Sequence, residues 1–169
     1  MPRKGIGVLL NTLAALRKEI PQLRLVRVGG PFTREQRNLV DRLDLTDAVQ
    51  VVPFLSKPVL AAVYRRAALV VVPSSREGFG LPVVEAMACG TPTLVSGISA
   101  LHEVGGTAAA YAPVDDVPAW TAAAISLLHE RRLEPDRWAR RQTAGIQQAA
   151  KFTWAEYARK MVDVYRRLS

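Results

Sequence analysis

Leu69-Val70-Val71-Val72-Pro73-Ser74-Ser75-Arg76-Glu77-Gly78-Phe79-Gly80-Leu81-Pro82-Val83-Val84-Glu85 joins an apolar run, a glycine-bearing loop and a helical opening in one stretch. The apolar run shows no alternation, which suits a parallel strand buried on both faces. Pro82 suits a first helical turn, where its missing N–H is no loss, so a helix is expected over 81–88. A buried strand that passes through a loop into a helix is the repeating unit of parallel α/β domains.

The same alternation extends in both directions. Toward the amino end, helical spacing runs from Val8 through Arg17 and stops before Pro21. Residues 23–28 read as a strand closed by Gly29-Gly30-Pro31. Thr33 reads as the N-cap of a helix ending near Leu43, with Gln36 completing a capping box. A strand over 49–52 and a helix over 57–67 lead to the central stretch. Toward the carboxyl end come a strand over 93–96, a short helix at 101–104 and a strand over 108–112. Only helices are then expected, near 118–131, 135–149 and 154–168, the last capped by Thr153.

Strand and helix alternate about five times, which predicts a Rossmann-like, doubly wound parallel α/β domain with a helical tail over about 117–169. Such sheets bind ligands beyond the carboxyl ends of their strands. The informative loops are therefore those after Val28, Val52, Val72 and Val95.

Composition narrows the function. The chain is 49% hydrophobic and 22% charged, as expected of a soluble globular domain. Its formal charge of +8 suits an anionic partner, whether a diphosphate or an anionic membrane surface, or serves solubility alone. No basic run with interleaved aromatics is present, which argues against a nucleic-acid partner. Cys89 is the single cysteine, so no internal disulfide forms. His102 and His129 are far apart, which argues against a zinc site. No secretory leader or bilayer-length apolar run is read, so the expected location is cytoplasmic, with peripheral contact at the inner face of the membrane as an option. The many Ala and Arg residues fit a GC-rich bacterial gene.

The loop of the central stretch carries the chemistry. Gly78 and Gly80 let a ligand approach the main chain. The amides of Phe79, Gly80 and Leu81 would point out of the helix N-terminus, where the dipole favours an anion. Glu77 and Glu85 would repel that anion unless they accept hydrogen bonds from hydroxyls. Phosphate on amides and hydroxyls on carboxylates together describe a nucleotide sugar. The two glutamates can also be read as a solvated loop carboxylate and a first-turn helix charge, but the glycine pair between them favours the functional reading.

The run from Glu77 through Glu85 to Gly90-Thr91-Pro92 resembles the E-x7-E signature of the retaining glycosyltransferases of family GT4. The resemblance extends to Arg3-Lys4-Gly5, Val28-Gly29-Gly30-Pro31, Tyr64-Arg65-Arg66-Ala67, Pro73-Ser74, the segment from Ser96 to Ala109, and Trp154, all in the family's order. It implies the second, donor-binding domain of a GT-B fold, and hexosyl transfer from a UDP-, GDP- or ADP-linked sugar with retention and no bound metal. It implies roles for Glu77 on the reacting side of the sugar, Glu85 on the ribose and Lys4 on the diphosphate. The backbone of Gly78, Phe79, Gly80 and Leu81 would bind donor, Gly29 and Gly30 would let the chain approach the nucleotide, and Pro53-Phe54-Leu55 would border the base.

The resemblance also implies what lies beyond this chain. The family's amino-terminal acceptor domain, and an arginine a few residues before the lysine, would fall before Met1. The chain is then expected to transfer weakly or not at all alone. It reads as a cut domain or partial reading frame, as one subunit of a split transferase, or as a non-catalytic nucleotide-binding scaffold. Asp115-Asp116 is read as a loop and helix start, not a metal motif. His102, Cys89, Trp120, Trp138 and Trp154 are read as packing residues.

Overall fold

The structure, a computed structural model, describes residues 4–168. Arg3 of the lysine segment therefore lies outside the described residues.

The chain alternates as expected: α1 (Ile6–Arg17), β1 (Leu25–Val28), α2 (Arg34–Arg42), β2 (Val49–Val52), α3 (Lys57–Arg66), β3 (Val70–Val72), α4 (Leu81–Ala88), β4 (Thr93–Ser96), α5 (Ser99–Gly105) and β5 (Ala110–Ala112). Three helices complete it: α6 (Val117–Leu133), α7 (Pro135–Ala149) and α8 (Trp154–Leu168). The Thr33–Gln36 capping box forms, with Gln36 N–H donating to Thr33 Oγ1 at 3.2 Å and Thr33 N–H to Gln36 Oε1 at 3.1 Å. Thr153 Oγ1 accepts from Glu156 N–H at 3.1 Å at the start of α8. Asp116 is a helix cap, its carboxylate accepting from Ala119 N–H at 3.0 Å. Among the described residues no helix is long and apolar enough to cross a membrane.

Among the described residues all strand pairing is parallel, and it falls into two ladders, β1–β2 and β3–β4–β5. Side chains join the ladders. Val8 and Leu16 of α1 pack with Leu94, Trp120 and Trp138, while Leu10 and Leu13 pack with Phe32, Val40 and Leu45. Helix α1 thus belongs to both cores, and Leu23 packs against both. A third cluster, around Val83, Met87, Val95, Leu101 and Val104, backs α4. β4 is buried at every position, as a strand covered on both faces should be.

Helix α1 also fixes which ends of the ladders coincide. Its N-terminus meets the carboxyl end of β3, where Gly5 lies against the Pro73 carbonyl. Its last residue, Arg17, donates through Nη1 to Leu23 O at 2.7 Å, just before β1. The helix therefore runs opposite to both ladders and brings their carboxyl ends to one side, where the loops after β1, β2 and β3 gather.

Two packing expectations are corrected. Trp154 is 86% exposed and contacts Tyr157 edge-on, on a helix with no fully buried side chain among its described residues. Cys89, at the C-cap of α4, is only partly buried. Trp120 and Trp138 do pack in the core, and His102 stacks on Tyr111 with centroids 3.9 Å apart.

Candidate functional site

The site begins where β3 ends. Pro73 and Ser74 are buried, and the chain then surfaces through Ser75 and Arg76 before turning into α4. Gly80 caps α4 with φ 100° and ψ 41°, a left-handed conformation that disfavours a Cβ. An added Cβ there would also lie 2.7 Å from Leu101 Cδ2. Gly80 O accepts from Val83 N–H at 2.9 Å and starts the helix. Among the described residues the amides of Phe79, Gly80 and Leu81 donate to no protein acceptor. These are the free donors that a helix start presents. Phe79 is fixed from behind by an edge contact with Phe152, centroids 5.6 Å apart.

Lys4 reaches this loop from across the chain. Gly5, at φ 61°, caps α1 and turns the main chain so that Lys4 faces Glu77. Lys4 Nζ donates to Glu77 Oε1 at 2.6 Å. The Glu77 side chain is 6% exposed and Lys4 remains largely exposed. An ammonium has three donors, so one bond to Glu77 leaves two for a further anion.

Glu85 lies one turn into α4, exposed on the surface. Its Oε2 accepts from the Tyr64 hydroxyl at 3.1 Å. Burial, and then the neighbouring Glu85 charge, push the Tyr64 hydroxyl far above its ordinary pKa, so it stays a donor. Tyr64 O in turn accepts from Thr91 Oγ1 at 2.6 Å, which ties the end of α3 to the segment after α4.

The remaining predicted residues form a neighbouring surface. Gly29 has φ 130°, and its N–H donates to Val52 O at 2.9 Å. Arg27 pins the turn, its guanidinium donating to Gly30 O and lying 4.8 Å over the Phe32 ring. Gly29, Gly30, Pro31, Val51, Pro53 and Phe54 line a depression of about 460 Å³. Phe54 is 85% exposed, and its ring edge stands 3.8 Å from where a Gly29 Cβ would be. Every lining group is apolar or main chain, which suits the flat face of an aromatic ring.

The structure therefore brings Lys4, Glu77, Gly78, Phe79, Gly80, Leu81 and Glu85 to one loop-and-helix surface, with Gly29 and Gly30 on the turn after β1. Sequence reasoning missed the bond from Tyr64 to Glu85, although Tyr64-Arg65-Arg66-Ala67 was visible as a motif. No local spacing reveals its bond to Glu85, because the partners are 21 residues apart on different helices.

The parallel ladders with this loop at their carboxyl ends match the GT-B fold of solved glycosyltransferases. Sucrose-phosphate synthase from Thermosynechococcus elongatus superposes with a TM-score of 0.79 at 34% identity, over 99% of this chain and 43% of that one. A glycosyltransferase from Rickettsia africae shares the fold at TM-score 0.84 and 18% identity, over 99% and 45% of the two chains. Residues 1–130 match the family described as glycosyl transferases group 1, and the chain belongs to that family. It is 33% identical to the D-inositol 3-phosphate glycosyltransferase of Thermobispora bispora, over 97% of this chain and 40% of that protein. It is 34% identical to the O-antigen chain mannosyltransferase B of Escherichia coli, over 99% and 44%. The chain thus spans less than half the length of these relatives.

Proposed function

We propose that this chain binds the nucleotide-sugar donor of a retaining glycosyltransferase. The observation that carries the reading is the ring of groups around the start of α4. Lys4 and the free amides of Phe79, Gly80 and Leu81 supply positive potential, and Glu77 and Glu85 supply acceptors on either side. A diphosphate suits the first set and hydroxyls the second. The apolar depression beside Gly29 and Phe54 suits the base. One solved relative of the fold, the Anabaena protein HepE, was captured with UDP and glucose, at TM-score 0.82 and 20% identity over 99% of this chain and 46% of that one.

In transfer, the bond between the anomeric carbon and the diphosphate oxygen breaks, an acceptor hydroxyl oxygen forms the new bond to that carbon, and the hydroxyl proton passes to the departing diphosphate. Negative charge grows on the leaving diphosphate, where Lys4 and the start of α4 would stabilise it. Glu77 would orient the transferred hexose and Glu85 the ribose. Retention and independence from a bound metal are part of this proposal, and rest on the resemblance of the signature run. Reacting groups must be held in one geometry, so we expect efficient transfer only with an acceptor-binding partner domain.

The test is calorimetric titration of the chain with UDP, GDP and ADP and their glucose and mannose conjugates. Preference for one base, abolished by Glu85→Ala, is the expected result. Absence of binding, or binding indifferent to Glu85→Ala, overturns it.

A further inference from the structure

We propose that Tyr64 is a positioning residue for the donor: its hydroxyl holds the Glu85 carboxylate in the orientation that receives the two ribose hydroxyls. This rests on the donor-site reading above and assigns a part to a residue on a different helix.

Glu85 is an exposed carboxylate on a flexible stem, and an untethered side chain of that kind samples several rotamers. The Tyr64 hydroxyl, 3.1 Å from Oε2, removes that freedom. A carboxylate has about four lone-pair sites, so this bond occupies one and leaves the others for a vicinal diol. The tether is itself anchored. Thr91, buried between α4 and β4, donates to the Tyr64 carbonyl at 2.6 Å, and Thr91 N–H donates to Ala86 O at 2.9 Å. Tyr64 and Glu85 are thereby fixed to one frame before any ligand arrives. Burial, and then the neighbouring Glu85 charge, raise the hydroxyl above its ordinary pKa, so it remains a donor. A neutral donor also leaves the full negative charge on Glu85 for the ribose.

Tyr64→Phe removes one oxygen and keeps the ring and the Thr91 anchor. The probes are whichever of UDP, GDP and ADP the wild-type chain binds best, and the 2′,3′-dideoxy form of the same nucleotide. Tyr64→Phe is expected to weaken binding of the ribonucleotide about five-fold, the scale of one hydrogen bond, and to leave the dideoxy form unchanged. In a Glu85→Gln background, Tyr64→Phe is expected to add little, because the two residues act as a unit. A merely structural tyrosine would weaken both nucleotides alike and lower the melting temperature. That outcome, or no loss for either nucleotide, overturns the proposal. If the wild-type chain binds none of the three diphosphates, the donor-site reading fails, and this inference with it.

Discussion

Lys4 and Glu77, 73 residues apart in sequence, meet with Nζ 2.6 Å from Oε1, and this contact joins the first turn of the chain to the loop after β3. It forms because Gly5 takes a left-handed conformation against the Pro73 carbonyl, which no side chain would permit. The pair sits beside the free amides at the start of α4. Under the proposed donor site, this bond to a nearly buried carboxylate would hold the Lys4 ammonium ready for the diphosphate.

Replacing Lys4 with Met tests this function. Lys4 is largely exposed but its loss leaves a nearly buried carboxylate with one partner fewer, so a modest loss of about 1–2 kcal/mol in stability is expected. Affinity for a nucleoside diphosphate should fall about ten-fold at low salt, and the loss should shrink as ionic strength rises. Calorimetry at two salt concentrations measures both. An unchanged affinity would remove Lys4 from the site.

Glu77→Gln separates sugar from nucleotide. If Glu77 accepts from the hexose, the variant loses a charge-assisted hydrogen bond made only by the sugar conjugate. Affinity for the nucleotide sugar should drop about ten-fold, while affinity for the bare diphosphate holds or improves slightly as a nearby negative charge disappears. Parallel titrations with the two ligands decide this. Equal losses for both would make Glu77 a support of the loop and not a sugar contact.

Gly5→Ala tests the architecture beneath the pair. The new Cβ would sit 1.9 Å from Pro73 O, and the residue would keep a φ of 61°. Left-handed backbone costs an alanine about 1–2 kcal/mol, and relieving a clash with main chain adds to it, so a loss of about 3 kcal/mol is expected. Denaturant midpoints measure it. Diphosphate affinity should fall as well, because Lys4 is displaced.

Much of this was legible in the sequence, for identifiable reasons. The apolar runs at β3 and β4 lack alternation because both faces are covered, and the Thr33–Gln36 box wrote the start of α2 directly. The signature loop fell where proline and glycine force a strand-to-helix turn. What escaped depends on partners far apart in the chain. The strands pair in two ladders and α1 contributes side chains to two cores, and no local pattern records either fact. Trp154 reads as a packing residue of the helical tail, yet it is 86% exposed beside Tyr157. The Tyr64–Glu85 bond was invisible because a tyrosine in a helix carries no mark of what its hydroxyl will meet.

Glu130 offers a prediction at the other end of the molecule. It is a buried carboxylate on α6, held by Arg141 of α7 through bonds of 2.8 and 2.9 Å and by Arg137 at 3.2 Å. Helix α7 backs α4, with Gln142 Nε2 donating to Gly90 O at 2.9 Å and Gly145 against Met87, so the latch supports the helix that carries Glu85. The Arg141 hydrogen bonds, assisted by the nearby guanidinium charges, hold the Glu130 carboxyl below its ordinary value of 4.5 despite burial. A carboxyl with a lowered folded value stabilises the protein above its unfolded value, and that stabilisation drains away as pH falls through the folded one. Glu130→Gln should therefore cost about 2 kcal/mol near neutrality, less than a fully buried pair because both guanidinia reach water. The gap between wild type and variant should narrow below about pH 4.5 and nearly close in stronger acid. Denaturant melts across that range give the answer, and a gap that stays constant with pH would show that the latch acts through packing and not through charge.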